Sequence, residues 1–431
     1  MNYYSLNDPT HVVSFTQAVI NGLAPGNGLY FPEQVPSFEI GFFRKLPELS
    51  LPEIAFHVLK PYTTPDLTEV VLHEITQQVF DFDIPLVEVQ PDIYSLELFH
   101  GPTLAFKDIG ARFLARTFSH IAKDRKIRVL VATSGDTGSA VANGFLGIEG
   151  TEVIVLYPKD KVSELQQKQF ATLGQNIRPV AIRGTFDDCQ QLVKTAFSDT
   201  GINQTMNLTS ANSINIARWI PQSVYYYWAI AQLAKTGKKI VVAVPSGNVG
   251  NISSGVLAQK TGLPIHRFIA ASNQNDVLPK YLKSGNYLPK PSVQTIANAM
   301  DVGHPNNFPR LLQLHQNNYS EMTGNLTGYS YTNEQIQKLI QSCYLANNYL
   351  LDPHGATGFG SLLDDQLAAN ETGVFLETAH PAKFREVVEP VIGQQITLPA
   401  ALARFDKRTL VTEELPTGYQ EFKQYLMDGI S

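Results

Sequence analysis

The sequence predicts an α/β fold in which parallel-rich sheets are covered by helices on both faces. Short, continuous apolar runs recur along the chain, and stretches with helical apolar spacing separate them. The chain has 431 residues, which exceeds the roughly 250–300 residues at which a single hydrophobic core stops growing. We therefore expect two α/β domains, preceded by an N-terminal extension.

The first 95 residues form the predicted N-terminal extension, because proline and turn signals are frequent there. Examples are APGNG at 24–28 and PYTTPD at 61–66. The apolar spacing over 66–80 predicts a helix. Both an extra domain and a lid fit this composition.

From about residue 96 the apolar runs become regular and are typical of buried parallel strands. The predicted strands are 128–132, 152–157, 179–182, 240–244, 266–271 and 373–377. The predicted helices are 109–122, 163–173, 187–197, 214–234 and 252–260. We place a smaller domain at 96–236 and a larger one at 237–431. Ligand sites in such sheets lie beyond the carboxyl ends of the strands.

Composition restricts the classes of function. Apolar residues make up 43% of the chain, charged residues 17%, and the net charge is −6, so a globular protein without a nucleic-acid partner is expected. Because neither a run of 18 apolar residues nor a basic-apolar leader is present, we expect a cytoplasmic protein without membrane contact. Cys189 and Cys343, the two cysteines, exclude a disulfide framework and a cysteine-based zinc site. No metal is expected, and the oligomeric state stays open.

A loop with the sequence PSGNVGN follows the predicted strand 240–244 and precedes a helix. Glycines let a backbone approach a phosphate closely, and N–H groups at a helix start supply donors. The spacing matches neither a Walker A loop nor a dinucleotide fingerprint. Phosphate binding and a plain strand-to-helix turn both remain open here. The residues concerned are Gly247, Asn248, Val249, Gly250 and Asn251.

A second polar loop, ATSGDTGSA at 132–140, also follows a strand and enters a helix. Thr133, Ser134 and Thr137 supply hydroxyl groups and Asp136 a carboxylate. Two such loops suit a phosphorylated cofactor beside a polar or anionic substrate. The alternative is that Ser134 or Asp136 only caps the helix.

Lys107 follows the apolar residues Leu104, Ala105 and Phe106 and precedes a helix. A lysine in apolar surroundings loses solvation of its ammonium form, so its pKa falls and its amine becomes nucleophilic. Taken alone, a lysine at a helix start is more often solvated. Together with two phosphate-type loops and no metal motif, it indicates pyridoxal phosphate.

Several motifs resemble those of the threonine synthases, in the same order. They are NGLAPGNGLYFP at 21–32, HGPTLAFKD around Lys107, ATSGDTGSA, NSINIAR at 212–218, PSGNVGN, DPHGATG at 352–358 and ETAHPAKF at 377–384. The resemblance covers about residues 20–385 and implies the fold type II architecture of pyridoxal-phosphate enzymes.

The resemblance implies roles for residues around the cofactor. Lys107 would carry it covalently, and residues 247–251 would hold its phosphate through backbone N–H groups. Asp136 would lie near its 3-hydroxyl group, where many relatives have Asn. Thr378 would face the pyridine nitrogen, although it could instead cap the turn after its strand.

The resemblance also implies a pocket for a substrate phosphate at 210–218. Ser213, Asn215 and Arg218 are candidate anion ligands, because hydroxyl, amide and guanidinium donors suit phosphate oxygens. Thr133, Ser134 and Thr137 are candidates for further substrate contacts. We assign no role to the three histidines within the motifs, which are His100, His354 and His380.

The implied reaction converts O-phospho-L-homoserine and water into L-threonine and phosphate. Three alternatives remain: a related phospho-lyase that adds no water, a serine/threonine dehydratase, and a non-catalytic nucleotide-binding module. Arg218 and its neighbours argue against the dehydratase, which needs no phosphate pocket. The missing nucleotide fingerprints argue against the binding module.

Overall fold

The computed structural model of the protein describes residues 1–121 and 126–428. Within these residues the strands form three sheets, of three, six and five strands. Ala122, the last residue of the predicted helix 109–122, lies outside the described residues. So do residues 429–431 at the end of the predicted larger domain.

The N-terminal part combines an antiparallel three-stranded sheet, in the order β2-β1-β3, with four α-helices. Its elements are β1 (Asn2–Ser5), β2 (Val12–Ser14), α1 (Phe15–Asn21), a 3-10 helix (Pro25–Asn27), β3 (Tyr30–Pro32), α2 (Ile40–Lys45), a 3-10 helix (Leu46–Glu48), α3 (Leu51–Thr63) and α4 (Glu69–Val79). The helix predicted at 66–80 is α4, which begins after Thr68, whose hydroxyl accepts from the Val71 N–H.

Strands and helices then alternate up to residue 233. They are β4 (Leu86–Gln90), β5 (Ile93–Glu97), α5 (Lys107–Ile121), β6 (Ile127–Ala132), α6 (Asp136–Phe145), β7 (Thr151–Pro158), α7 (Glu164–Ala171), β8 (Ile177–Ile182), α8 (Phe186–Ser198), α9 (Thr200–Thr205), β9 (Asn207–Ser210), α10 (Ile216–Trp219), a 3-10 helix (Ile220–Ser223) and α11 (Val224–Leu233).

The alternation continues through the rest of the chain. The elements are β10 (Lys239–Pro245), α12 (Gly250–Lys260), β11 (Ile265–Ser272), α13 (Val277–Ser284), a 3-10 helix (Asn298–Met300), α14 (Phe308–Leu314), α15 (Tyr319–Asn325), β12 (Leu326–Ser330), α16 (Asn333–Asn347), α17 (Pro353–Asp365), β13 (Glu371–Glu377), a 3-10 helix (Pro381–Phe384), α18 (Arg385–Ile392), α19 (Ala400–Asp406), β14 (Glu413–Leu415) and α20 (Tyr419–Asp428).

The two larger sheets are parallel apart from one edge. The six-stranded sheet has the order β12-β11-β10-β13-β5-β4, and only β4 runs antiparallel to its neighbour among the described strands. The five-stranded sheet, β14-β8-β7-β6-β9, is parallel throughout. Their central strands are almost wholly buried, as their apolar composition requires. The predicted α/β fold is confirmed.

The predicted contiguous domains differ from the sheets that the structure contains. Strands β4 and β5 pair with the sheet of residues 237–431, so the extension does not reach residue 95. Strand β14 pairs with β8 and α20 packs on α8, so the chain end returns to the smaller domain. The boundaries 1–95, 96–236 and 237–431 are therefore replaced by domains built from discontinuous segments. Edge pairing joins strands far apart in sequence, which local patterns do not reveal.

The single helix predicted at 214–234 is broken into α10, a 3-10 turn and α11. Pro221 lies at the break, where its ring removes a backbone donor, although Ile220 before it keeps helical backbone angles. The break turns α10 into a short segment facing the pocket described below.

Two further expectations concern membrane-spanning helices and the cysteines. No helix among the described residues is both long and apolar enough to cross a membrane. Cys189 and Cys343 are free and buried, as expected for small hydrophobic residues. Within the described part of the chain, no cluster of three or more potential metal-ligating His, Cys, Asp or Glu side chains occurs.

Candidate active site

Lys107 is the first residue of α5 and is held against the end of β13. The loop before it is fixed by Asp108, which accepts from the Thr103 N–H at 2.8 Å and from the Thr103 hydroxyl at 2.5 Å. The Phe106 N–H donates to the Thr378 carbonyl at 2.9 Å. The loop therefore brings Lys107 beside Thr378, although about 270 residues separate them in the sequence.

The Lys107 amine lies in a pocket and has no hydrogen-bond partner among the described residues. Burial lowers the pKa of Lys107 to about 8. Asp136 and Asp352 oppose this decrease, whereas the positive charges of Lys383 and Arg218 add to it. About a tenth of the amine is thus unprotonated at pH 7 and half at pH 8, far more than for an ordinary lysine, and this is the form that a nucleophile or base requires.

The loop after β10 has an unusual backbone at the start of α12. Val249 has a φ of 61°, in the left-handed region that β-branched residues rarely adopt. A Cβ on Gly247 would lie 2.6 Å from the Met300 Cα atom, so only glycine fits there. Such a turn directs successive N–H groups to one side, and the first N–H groups of a helix lack carbonyl partners. The loop therefore presents donors to the pocket.

Asn248 anchors this loop to the segment that precedes α10. Its Oδ1 accepts from the Asn306 N–H at 2.6 Å, and its Nδ2 donates to Ser213 Oγ at 3.1 Å. Asn307 Nδ2 also donates to Ser213 Oγ, at 3.0 Å. Ser213 thus accepts two hydrogen bonds, and its own O–H remains available to a ligand.

Asn251 contributes an unused donor. Its Oδ1 accepts from the hydroxyl groups of Tyr225 and Tyr226, both at 2.6 Å, and these bonds determine the amide orientation. Its Nδ2 is buried without a partner in the described structure. Because a buried unpaired donor is costly and Asn251 lines the pocket, this group fits an anionic ligand.

The second loop, at 132–140, is closed by one of its own hydroxyl groups. Thr133 Oγ1 accepts from the N–H groups of Gly135 at 2.9 Å and Gly138 at 2.8 Å. Thr133 is fully buried and lies outside the pocket lining. Thr133 thus holds the loop, and the substrate contact predicted for it stays a prediction. Ser134 and Thr137 do line the pocket.

Asp136 begins α6 and forms a buried ion pair that the sequence analysis missed. Lys383 Nζ lies 2.6 Å from Asp136 Oδ1, and both side chains are buried. Burial alone would raise the pKa of Asp136, but the positive charges of Lys383 and Lys107 hold it well below the usual range. Asp136 is therefore ionised. Lys383 belongs to the motif at 377–384, yet nothing local indicates its partner.

Arg218 lines the pocket with only 3% of its surface exposed. Its guanidinium group donates to the Ala211 carbonyl, but its Nε has no partner in the described structure. Burial lowers its pKa to about 10, partly offset by Asp108. The group thus remains a cation at neutral pH, with an unused donor.

Asn215, three residues earlier, lies outside the pocket lining. Its Oδ1 accepts from the Ala217 N–H at 3.0 Å, and its Nδ2 donates to the carbonyls of Val19 and Ser210, both at 3.0 Å. The predicted substrate contact is replaced by a helix cap, because every polar atom of the side chain is occupied.

Several pocket residues were not predicted to be site residues, although Phe106, Asn212, Pro245 and His354 belong to the motifs. They are Phe106, Phe186, Asn212, Gln222, Pro245, Ala299, Met300, Val302 and His354. His354 Nδ1 lies 2.5 Å from Asp352 Oδ1, and its Nε2 accepts from the Ala299 N–H at 3.1 Å. Its ring is thereby held in one orientation as part of the wall.

Thr378 lines the pocket next to a buried carboxyl group. Burial and the neighbouring Asp352 hold the pKa of Glu377 well above its usual range, which favours the neutral acid. A neutral Glu377 places no full negative charge next to Thr378. The hydroxyl group of Thr378 can donate or accept at this position.

The arrangement fits a phosphorylated aldehyde cofactor with an anionic substrate. Lys107 supplies an amine with a lowered pKa. Asn251 supplies one unpaired donor of the described structure, its Nδ2, and Arg218 supplies another, its Nε. Pyridoxal phosphate has both an aldehyde for the amine and a phosphate for the loop.

Comparisons with known proteins agree with this geometry. Three family models match the chain: "Pyridoxal-phosphate dependent enzyme" over residues 84–378, "Threonine synthase N terminus" over 2–80 and "Threonine synthase, C-terminal" over 356–426. The threonine synthase of Haemophilus influenzae is 46% identical over 99% of this chain and 100% of its own length.

Two solved structures are similar over almost the whole chain. The threonine synthase of Escherichia coli has a TM-score of 0.96 and 42% identity, covering 100% of both chains. The threonine synthase of Brucella melitensis, solved with pyridoxal phosphate bound, has a TM-score of 0.92 and 33% identity, covering 99% of both chains.

Proposed function

Because this chain belongs to the threonine synthase family of pyridoxal-phosphate-dependent enzymes, we propose that it converts O-phospho-L-homoserine and water into L-threonine and phosphate. The observation that carries this proposal is the pocket itself. The amine of Lys107, with its lowered pKa, shares the pocket with two buried donors that have no partner in the described structure, Asn251 Nδ2 and Arg218 Nε. Two such donors suit two phosphate groups, one on the cofactor and one on the substrate.

The cofactor would be held by residues from separate parts of the chain. Lys107 is its proposed covalent anchor, and residues 247–251 its phosphate loop. Thr378 is proposed to face the pyridine nitrogen. Asp136, which the resemblance would place near the 3-hydroxyl group, lies outside the pocket lining and is bonded to Lys383 and Gln166. When bound, pyridoxal phosphate withdraws electrons from the amino-acid substrate, which makes its C–H bonds near the amine acidic.

Lys107 is the residue we assign to proton transfer. Its amine has no hydrogen-bond partner in the described structure, so it is free to accept and return protons on a flexible stem. It would first remove the proton at substrate Cα and then assist proton movement at Cβ and Cγ. Phosphate leaves from Cγ, and water adds at Cβ to give the threonine hydroxyl group.

Arg218, with the Ser213 hydroxyl group, is the proposed site of the substrate phosphate. Ser134 and Thr137 lie in the lining and supply further hydroxyl donors. A buried cation is worth more to a phosphate than an exposed one, because water screens it less. Holding the departing phosphate there would also stabilise its negative charge as the C–O bond breaks.

The phospho-lyase and dehydratase alternatives are separated from this proposal by product analysis. Purified enzyme is incubated with O-phospho-L-homoserine in ¹⁸O-labelled water. Equal amounts of phosphate and threonine are expected, with the label in the threonine hydroxyl group. Phosphate release with a 2-oxo acid in place of threonine would overturn the proposal in favour of a phospho-lyase. A 2-oxo acid formed from serine or threonine alone would indicate a dehydratase.

The substrate is a small molecule, and its identity as phosphohomoserine is part of this proposal. The cytoplasmic location expected from the sequence likewise stays a prediction. Cell fractionation with an antibody to the protein would check it.

A further inference from the structure

Lys383 is a buried lysine that the roles assigned above do not use. Its side chain has no exposed surface, and its Nζ lies 2.6 Å from Asp136 Oδ1. The same ammonium group donates to the Thr103 carbonyl at 2.9 Å, 280 residues away in sequence. It therefore links the loop before Lys107, the start of α6 and the 3-10 helix after β13.

The partners of Lys383 are held in place by two glutamines of α7. Gln166 Nε2 donates to Asp136 Oδ1 at 2.9 Å, and Gln169 Nε2 donates to the Thr103 carbonyl at 3.2 Å. The carboxylate and the ammonium ion thus have little freedom to separate. Burying an ion pair has a large unfavourable free energy of desolvation. Such a pair is often no more stabilising than apolar residues of similar size. Fold stability alone is therefore a weak explanation for it.

The charges around Lys107 indicate what the pair does. Besides burial, four charged groups act on Lys107: Asp136 on α6, Lys383 after β13, Arg218 on α10 and Asp352 before α17. Asp136 favours the protonated amine, whereas Lys383 disfavours it. The two effects oppose each other because the two groups carry opposite charges, and the ion pair holds those charges together.

We propose that Lys383 is a positioning residue that neutralises Asp136, so that this carboxylate does not keep the Lys107 nitrogen protonated. The inference rests on the proposed role of Lys107 as the anchor, and it is independent of which substrate the enzyme uses. It makes Lys383 a determinant of the working pH range.

The test is a pH titration of the visible absorbance of the holoenzyme, in the parent and in three variants. The variants are Lys383→Met, Asp136→Asn and the double variant. Borohydride reduction and peptide mapping of the parent come first, so that a wrong anchor is recognised separately. Lys423→Met, which breaks the lysine–aspartate pair with Asp199 far from the pocket, is the matched control.

The expected midpoints move in opposite directions. Lys383→Met leaves a negative charge beside the Lys107 nitrogen, so the midpoint should rise by at least about one pH unit. Asp136→Asn leaves a positive charge, so the midpoint should fall. The double variant removes both charges and should return to within about half a unit of the parent. Lys423→Met should not move the midpoint.

A purely structural role would lower thermal stability in all three variants without these opposite shifts, and that result would overturn the proposal. Lys383→Met buries an unpaired carboxylate and could fail to fold. The double variant avoids this problem. If Lys383→Met does not fold, the midpoint of the double variant is compared with that of Asp136→Asn. A higher midpoint in the double variant supports the proposal, and an equal one overturns it.

Discussion

Arg218 and Arg310 both donate to carbonyls of the segment at 211–218, and both are buried, but their guanidinium groups are used differently. Arg310 donates to the carbonyls of Tyr30, Ser213 and Ile214 and to Asn307 Oδ1, at 2.7–3.3 Å. Arg218 donates to one carbonyl, and its Nε has no partner in the described structure.

The difference shows how a buried cation can be assigned a role. Burial lowers the pKa of both groups, to about 9 for Arg310 and about 10 for Arg218, and neither pairs with a carboxylate in the described structure. Arg310 replaces its lost water with backbone carbonyls and so joins the N-terminal part to the site. Arg218 keeps an unused N–H group in a pocket. A buried cation with fully used donors holds the fold, whereas one with unused donors binds a ligand.

The largest effect is expected at Lys107, the other cation whose donors are unused. Lys107→Ala should reduce turnover by at least about a thousandfold, because it removes both the anchor and the base. The fold should persist, as judged by circular dichroism. In the parent, borohydride reduction should place the pyridoxyl group on Lys107. A label on another lysine would contradict the assignment. Lys60→Ala, at an exposed ion pair, is the control.

Arg310→Met tests the other half of the comparison. It leaves the carbonyls of Tyr30, Ser213 and Ile214 without their donor. Each buried unpaired acceptor costs about 1–3 kcal/mol, so the free energy of unfolding should fall by at least about 3 kcal/mol. Urea denaturation measures this change. A variant as stable as the parent would show that these hydrogen bonds do not stabilise the fold.

Arg218→Met should affect the substrate and not the cofactor. Loss of a charge-assisted contact of about 1.5–3 kcal/mol corresponds to a ten- to hundredfold decrease in kcat/KM for the phosphorylated substrate. The visible spectrum should be preserved, and stability should fall less than in Arg310→Met. Collapse of the spectrum would instead make Arg218 a cofactor or structural residue.

Gly250→Val extends the comparison from cations to backbone donors. A Cβ at this position would lie 3.1 Å from Asn307 Nδ2 and 3.3 Å from the Ser213 Cβ atom, so a larger side chain must displace the loop. Cofactor affinity should fall about tenfold, by about 1.4 kcal/mol, as measured by fluorescence titration. Gly324→Val, at a glycine whose added Cβ would meet no atom within 4 Å, is the control. Unchanged affinity would favour a plain turn.

The smallest effect concerns the pH at which cofactor binds. Because burial lowers the pKa of Lys107 to about 8, its unprotonated fraction grows as pH rises towards and past that value. The rate at which cofactor-free protein reacts with pyridoxal phosphate should therefore rise about fivefold between pH 7 and pH 8 and level off above pH 9. Stopped-flow absorbance measures this rate. A rate still rising steeply at pH 10 would contradict the lowered pKa.

Much of the fold could be predicted because its strands are buried on both faces. The runs predicted at 128–132, 152–157 and 240–244 correspond to β6, β7 and β10 within two residues at each end. Continuous apolar composition is a local property, so a buried strand can be predicted without knowing which strands it pairs with. Which sheet β4, β5 and β14 join depends on pairing with strands far away in the sequence. Local composition therefore could not predict it.

The candidate site divides in the same way. The motifs located Lys107, residues 247–251 and Arg218, all of which line the pocket. They did not show that the side chains of Thr133 and Asn215 form hydrogen bonds with backbone groups of the protein. Whether a donor is free depends on its three-dimensional neighbours, so residue type and spacing alone over-predict ligands.

The sequence by itself determined the strands, the two polar loops and the lysine in apolar company, because each depends on neighbours within a few residues. Only the tertiary structure decided which donors remain unpaired and which charges meet. Lys383 shows this most clearly: its ammonium group contacts Thr103 from 280 residues away. Burial makes such contacts matter, because charges that water does not screen act strongly on the groups beside them.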